Sequence, residues 1–443
     1  MPLALLALTI GAFGIGMTEF AVMGLLPDVA AGFGVSIPLA GYATTLYALG
    51  VVVGAPLTTA LGTRMTRKQM LMLLMGLFVV GNLLTAVAPV FAVMLAGRIV
   101  SSFAHGAFFG IGSLVAADLV APQKRAGALS MMFAGLTVAN VVGVPFGTLL
   151  AQQINWRATF VAIAFLGVLG FLGVAKLIPA QPVKAASPMG QEIAAFRNPQ
   201  VGLAMLMTVL GFGGVFAAVT YLASMMTEVA GFAPSSVVWL TAVFGLGMVG
   251  GNLISGRFTD RHMMPMLYVS LVGLALSLAA FSVAAHDKAA ATVTIALIGA
   301  FGFATVPPLQ KRIMDQAAAA PTLASVGNIA AFNFGNALAS WLGGIVITAG
   351  LGLTAPNWVG VGMTVLALGV AVAAGVLERR SDRGGTGGRS GQKAQSAQRD
   401  RSGLADGPKG RSGLGVQSGR IVASGPGGGG DSAETVVPAD VRA

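Results

Sequence analysis

Residues 54–64 read GAPLTTALGTR, and residues 251–261 read GNLISGRFTDR. The two stretches stand 197 residues apart, with Gly54 matching Gly251, Arg64 matching Arg261, and Thr63 standing where Asp260 stands. The same offset pairs Asp118 with Asp315, and an offset of 196 pairs Asn140 with Asn336 and Gly147 with Gly343. Each copy is a short basic segment joining two long apolar stretches. Self-similarity at this period marks a chain built from two like halves.

The surrounding composition says what kind of halves. The chain is 55% hydrophobic and 9% charged, against a usual charged share of about 25%. Of its 41 charged residues, 15 fall in the last 63 positions, so the first 380 are almost free of charge. Their charges separate apolar runs of about 20 residues, long enough to cross roughly 30 Å of hydrocarbon as a helix. These runs are apolar all round, which excludes a soluble core. The expected helices are 3–27, 38–61, 69–90, 92–117, 127–152, 157–179, 201–228, 234–256, 264–285, 289–310, 323–350 and 356–377. The fold class is therefore an all-α membrane protein of twelve transmembrane helices in two six-helix pseudo-repeats. The first helix lacks a basic leader and is too long for a cleaved signal peptide, so it reads as a signal anchor. Connections are short and carry Pro27, Pro38, Pro234, Pro321 and Pro356, which suit tight helix ends.

Basic residues set the orientation. Segments after even-numbered spans carry Arg64, Arg67, Lys68, Lys124, Arg125, Lys176, Lys184, Arg197, Arg257, Arg261, Lys311, Arg312, Arg379 and Arg380; those after odd-numbered spans carry only Arg157 and Lys288. Both termini are expected in the cytoplasm, with the chain in the bacterial cell membrane. The net charge of +11 then reflects topology and needs no nucleic-acid partner. The expected domains are an N-terminal half at 1–179, a cytoplasmic linker at 180–200, a C-terminal half at 201–380, and a tail at 381–443. The linker contains QEIAAFRNPQ and reads as a short amphipathic helix. The tail is rich in Gly, Ser and Arg and lacks aromatic residues, so it is expected to be disordered.

Four local patterns carry a resemblance: TEFAVMGLLPDVA at 18–30, GAPLTTALGTRMTRKQ at 54–69, GRIVSSFAHGAFFGIG at 97–112, and GLTVANVVGVPFGTLL at 135–150 followed by NWRATF. On these the chain resembles the major facilitator superfamily, in its twelve-span drug:proton antiporter branch. Within that branch it is similar to bacterial arabinose-efflux-permease-like and chloramphenicol-resistance exporters. The resemblance covers residues 1–380. It implies a cytoplasmic gate of Gly54, Thr63, Arg64, Arg67, Asp118, Asp260, Arg261 and Asp315, with Arg67 reaching Asp118. Thr63 departs from the family's Asp and gives up a charge–dipole contribution of up to about 1 kcal/mol. The resemblance also implies an antiporter bend at Gly143, Pro145 and Gly147. Small residues there serve close helix packing in any case, and a Pro can bend the span.

Very few groups can carry chemistry inside the membrane. Glu19 lies about seven residues inside the outer end of the first span, roughly 10 Å deep. An isolated carboxylate there must be protonated, paired, or facing water. Arg98 lies at nearly the same depth from the other chain direction, which makes Glu19–Arg98 a candidate pair. Burial favours the neutral acid and a guanidinium favours the carboxylate, so a change of surroundings can load or unload a proton. The alternative is a static ion pair fixing helix register. His105, two turns along from Arg98, either relays protons or makes a packing hydrogen bond. Tyr47, Asn140, Tyr221, Asn333 and Asn336 are the candidate cavity-lining residues, with interhelical hydrogen bonds as the equal alternative.

Three histidines without paired spacing and no cysteine argue against a metal. No phosphate-binding loop occurs, and no cofactor is expected. An enzyme and a channel are both disfavoured. The resemblance implies a monomeric, proton-coupled exporter working by alternating access on a small organic molecule such as an amphenicol, in contact with membrane lipid. Export of sugars or nucleosides, proton-coupled uptake and, at a distance, a membrane sensor remain alternatives.

Overall fold

Apolar helices long enough to span a bilayer follow one another almost without interruption, and their breaks fall where Pro, Gly or charge interrupts the backbone ladder. The computed structural model describes residues 3–62, 65–180, 198–317 and 321–378. Thr63, Arg64, most of the expected linker and the expected tail lie outside the described residues. Residues 1–380 form one compact unit.

In the first half the spans are α1 (Leu3–Phe33), α2 (Tyr42–Gly62), α3 (Arg67–Ala86), α4 (Phe91–Asp118), α5 (Pro122–Gln153) and α6 (Trp156–Leu177). In the second half α7 is Pro199–Val219, and Val237–Ala284 is assigned as one helix. The candidate span containing it, Pro234–Ala284, has 51 residues, about 76 Å at 1.5 Å per residue and more than twice the hydrocarbon thickness. His262 breaks it with non-helical angles (φ −135, ψ 51). Pro265 follows three residues later and has no N–H for the Arg261 carbonyl, so the ladder fails there. The two arms are α8 and α9. The remaining spans are α10 (Lys288–Gln316), α11 (Pro321–Thr348) and α12 (Ala355–Glu378). Among the described residues, eleven candidate spans with one broken in two give twelve transmembrane helices.

Two expected boundaries are corrected. The loop expected between the eighth and ninth spans is a kink inside continuous helix. The first span does not end at Pro27 but runs on to Phe33. It stops where Gly34 takes φ +64 and Val35 N–H donates back to Ala30 O at 3.0 Å, a glycine-terminated helix end.

Within the first half, α1 packs on α5 and α6, α3 on α4 and α6, and α2 on α4; in the second, α7 packs on α11 and the α8–α9 arms on α10. The halves meet where α2 touches α11, where α5 touches α8, and where α1 touches the segment just after α7. Backbone approach at such crossings needs small residues. A methyl group added to Gly81 of α3 would stand 2.7 Å from the Gly97 carbonyl of α4.

Three spans are broken in the membrane. A π-helical turn at Ala139–Gly143 interrupts α5 just before Pro145. Thr305 interrupts α10 ahead of Pro307 and Pro308. The chain after α7 turns at Thr220–Tyr221 before resuming as Leu222–Ser224 and a π-helical turn at Met225–Val229.

Candidate functional site

Glu19 sits on the α1 face turned toward α4 and the second half, with its side chain 10% exposed. The imidazole of His105 on α4 faces it, with Nε2 3.9 Å from Glu19 Oε2. That is an electrostatic approach, longer than a hydrogen bond. His105 Nδ1 is 3.3 Å from the Tyr47 hydroxyl. The helix register of α4 produces this alignment, because Arg98 and His105 are seven residues apart and share a face.

The expected Glu19–Arg98 ion pair is not formed. Arg98 is wholly buried, but its Nη1 donates to Thr18 O at 2.8 Å and Thr18 Oγ1 at 3.1 Å, and its Nε donates to Ala43 O at 3.2 Å. The guanidinium lies 4.2 Å from the Tyr47 ring centroid, a contact worth about 2 kcal/mol when desolvated. Arg98 Nη2 has no hydrogen-bond partner. The residue beside Glu19 therefore supplies the oxygens expected of the carboxylate. Thr18 is itself fixed, since its hydroxyl donates to Asn82 Oδ1 at 2.7 Å while Asn82 Nδ2 donates to Phe78 O at 2.8 Å. Thr18 and Asn82 were not legible as site residues; a hydroxyl next to the one buried acid was the available signal.

A void of about 10 Å³ adjoins Glu19, lined also by Thr44 of α2 and by Phe216 and Thr220 of the second half. That volume is close to the least that holds one water. Larger crevices lie on either side. On the outer side, about 600 Å³ opens between α2 and α11 and ends on Thr45, Tyr221 and Ser340. On the basic, inner side, a crevice of about 350 Å³ runs between α5, α8 and α10, with Asn140, Asn252 and Gln310 among its walls. A second, of about 310 Å³, lies between α4, α5, α10 and α11, and Phe133 lines both inner crevices. Phe133 stacks on Phe109 at 5.4 Å between centroids. Among the described residues neither inner crevice has a charged wall residue.

The five expected cavity residues divide. Asn140 lines an inner crevice and Tyr221 the outer one. Tyr47 is buried between Arg98 and His105 and lines none of these spaces. Asn333 and Asn336 are buried, each with an Oδ1 that has no partner.

At the inner face, Arg67 Nη1 meets Asp118 Oδ2 at 2.6 Å, with the side chains 23% and 32% exposed. The second-half counterpart is not built the same way. Among the described residues the Asp315 side chain reaches only Lys311 on its own helix, at 3.8 Å, and the Asp260 and Arg261 side chains make no hydrogen bond or ion pair. Met264 occupies the position that the 197-residue offset matches to Arg67. The second half instead holds Arg312, 1% exposed, against Glu378 at 3.0 and 3.4 Å, with Gln200 Oε1 at 3.2 Å and Met264 Sδ at 3.1 Å. Gln316 Nε2 also donates to Glu378, at 2.6 Å. This cluster ties α7, α9, α10 and α12 together. In the sequence Arg312 counts only as a topology signal and Glu378 stands in no pattern; the apolar Leu309 and Ile313 on the same side of the helix are the local signal that Arg312 is buried.

Gly54 packs against Phe103 of α4, with an added methyl only 2.7 Å from that ring. A π-helical turn stands ahead of Pro145 in α5, with Gly143 facing α1 and Gly147 facing α6 and α1. A methyl on Gly143 would stand 2.9 Å from Phe13, and one on Gly147 would stand 2.8 Å from Thr159 Cγ2 and 3.0 Å from Met17 Cε. Among the described residues no cluster of His, Cys, Asp and Glu could hold a metal ion.

This arrangement, with two six-helix halves around a buried acid and crevices on both faces, is that of a membrane transporter. The model of the Major Facilitator Superfamily matches residues 8–331, and the chain belongs to that superfamily. It is 44% identical over 348 residues to the inner membrane transport protein YdhP of Escherichia coli (strain K12), covering 79% of this chain and 90% of the relative. It is 34% identical over 376 residues to the chloramphenicol resistance protein of Streptomyces lividans, covering 84% of this chain and 96% of that one. The crystal structure of a D-xylose–proton symporter superposes with a TM-score of 0.68 at 16% identity, over 83% of this chain and 96% of that one, and shows the shared fold.

Proposed function

We propose that this transporter is a proton-coupled efflux pump for small neutral organic compounds, an amphenicol being the representative substrate. The observation that carries the proposal is the pairing geometry at Glu19. A carboxyl group 3.9 Å from His105 faces a void shared with the second half, beside a buried guanidinium whose Nη2 has no partner. A buried, unpaired carboxylate is costly, so Glu19 is neutral in this arrangement and ionised when it turns onto Arg98 Nη2. His105 and the Tyr47 hydroxyl form the relay at its inner side.

Rocking of the halves, 1–179 against 201–380, carries the acid between outer and inner water. Arg67–Asp118 is the first-half component of the cytoplasmic gate, and the α5 bend keeps the halves in close contact during the movement. Substrate enters by the inner crevices, whose amide and aromatic walls without charge suit a neutral molecule. One chain supplies both sides of the pathway, so the working unit is a monomer. The chloramphenicol resistance protein of S. lividans supports both the direction and the compound class.

The test is chloramphenicol tolerance in a hypersensitive bacterial host, wild type beside Glu19→Gln at matched membrane levels. Protection that disappears both in Glu19→Gln and on collapse of the proton gradient supports the reading. Protection that survives Glu19→Gln removes Glu19 from coupling, and no protection against any neutral compound sets the export assignment aside.

A further inference from the structure

Tyr221 lines the inner end of the outer crevice, and its neighbour Thr220 lines the void at Glu19. Tyr221 stands at the break after α7 and is 1% exposed. Its hydroxyl donates to Ser340 O of α11 at 2.8 Å. Its ring and hydroxyl fill a notch that three glycines leave open across both halves. A methyl group added to Gly41, at the start of α2 in the first half, would stand 2.6 Å from the Tyr221 hydroxyl. In the second half, one added to Gly343 would stand 2.8 Å from Tyr221 Cε2, and one added to Gly344 2.9 Å from its hydroxyl. Those contacts are closer than real Cβ atoms show, so a side chain at any of the three positions would displace the Tyr221 ring or hydroxyl from this seat.

The neighbouring residue links this seat to the acid. Thr220 lines the void at Glu19, and its Oγ1 lies 2.7 Å from Ser340 Oγ while also donating to Phe216 O at 2.7 Å. Ser340 itself forms part of the floor of the outer crevice. Tyr221 and Thr220 are adjacent in an irregular turn, so withdrawing the ring disturbs the Thr220–Ser340 contact as well.

We propose that Tyr221 is the outer plug of the transporter, seated in the Gly41–Gly343–Gly344 notch, and that its withdrawal joins the outer crevice to the Glu19 void. Outer opening and outer proton access are then one event. The second half of this proposal rests on Glu19 being the coupling acid; the plug itself does not.

The chain contains no cysteine, so a single introduced thiol is the only labelling site. Thr44→Cys places that thiol in the wall of the Glu19 void, and Ser36→Cys places one at the exposed outer rim as a control for folding and sidedness. A membrane-impermeant maleimide is added to the outer face of right-side-out vesicles at matched protein levels. The Ser36→Cys protein labels in every background. Thr44→Cys is protected with Tyr221 present, and its labelling rises at least about ten-fold with Tyr221→Ala or Gly41→Val, a population shift of about 1.4 kcal/mol. With Tyr221→Phe, which keeps the ring, it stays close to the unsubstituted rate. Thr44→Cys that remains protected in Tyr221→Ala while Ser36→Cys labels would overturn the plug, as would Tyr221→Phe opening as fully as Tyr221→Ala. Labelling requires neither substrate nor a proton gradient, so its outcome is independent of whether Glu19→Gln abolishes drug tolerance.

Discussion

Removing Glu378 strands a buried guanidinium. Arg312 is 1% exposed and its charge is met by both Glu378 oxygens, at 3.0 and 3.4 Å, with Gln200 as the remaining oxygen partner. Breaking a fully buried pair by deleting one member costs about 3–5 kcal/mol. Glu378 is 33% exposed, so water moderates the loss, and about 2–3 kcal/mol is the appropriate figure for Glu378→Ala. In a chain of this size that corresponds to a fall in melting temperature of about 2–3 °C. Arg312→Met alone should cost a similar amount, because Glu378 loses its cation and Gln200 Oε1 its donor. The double substitution removes the stranded charge and should recover to within about 1 kcal/mol of wild type. Thermal unfolding of the detergent-solubilised protein, followed by retention of the monodisperse peak, reads all three. Equal stability of Glu378→Ala and wild type, or single effects that simply add in the double variant, would refute the assignment of this cluster as the staple of the second half.

The first-half latch should behave differently. Arg67 and Asp118 are partly exposed, so Arg67→Ala should change stability by less than about 1 kcal/mol. Its effect should appear in transport rate and be weakened by added salt. Asn82→Ala leaves the Thr18 hydroxyl without its acceptor in a buried site, which should lower thermal stability by about 1–3 kcal/mol and reduce Glu19-dependent transport through Arg98. Gly147→Val drives a branched side chain into Thr159 and Met17, and thermal unfolding should register about 1–3 kcal/mol of overpacking.

The fold was legible because a bilayer demands length and apolarity, which the sequence displays directly. Twelve spans and their two-fold repetition follow from run length and from the paired GAPLTTALGTR and GNLISGRFTDR stretches. Boundaries were less legible where backbone geometry decides them. Pro27 is carried inside α1, and the interruption between α8 and α9 is a kink at His262 without a loop. At the site, depth alone singled out Glu19 and Arg98, and helix periodicity added His105. Depth could not say which oxygen the guanidinium would choose, and Thr18 supplies it. At the inner face the 197-residue offset places Met264 where the first half has Arg67, and Arg312–Glu378 joins a different pair of spans. Pairings of that kind arise from tertiary proximity between α10 and α12, which no local pattern encodes.

The central claim is that neutral-compound export and inward proton movement are one process through Glu19. The direct measurement is made in everted membrane vesicles carrying an acid-inside pH gradient reported by a fluorescent weak base, with chloramphenicol as the added compound. The account predicts that chloramphenicol dissipates the gradient in vesicles containing the wild-type protein and leaves it unchanged with Glu19→Gln at the same protein level. Dissipation of equal size in the Glu19→Gln vesicles, or uptake of chloramphenicol by wild type with no proton movement, would contradict it.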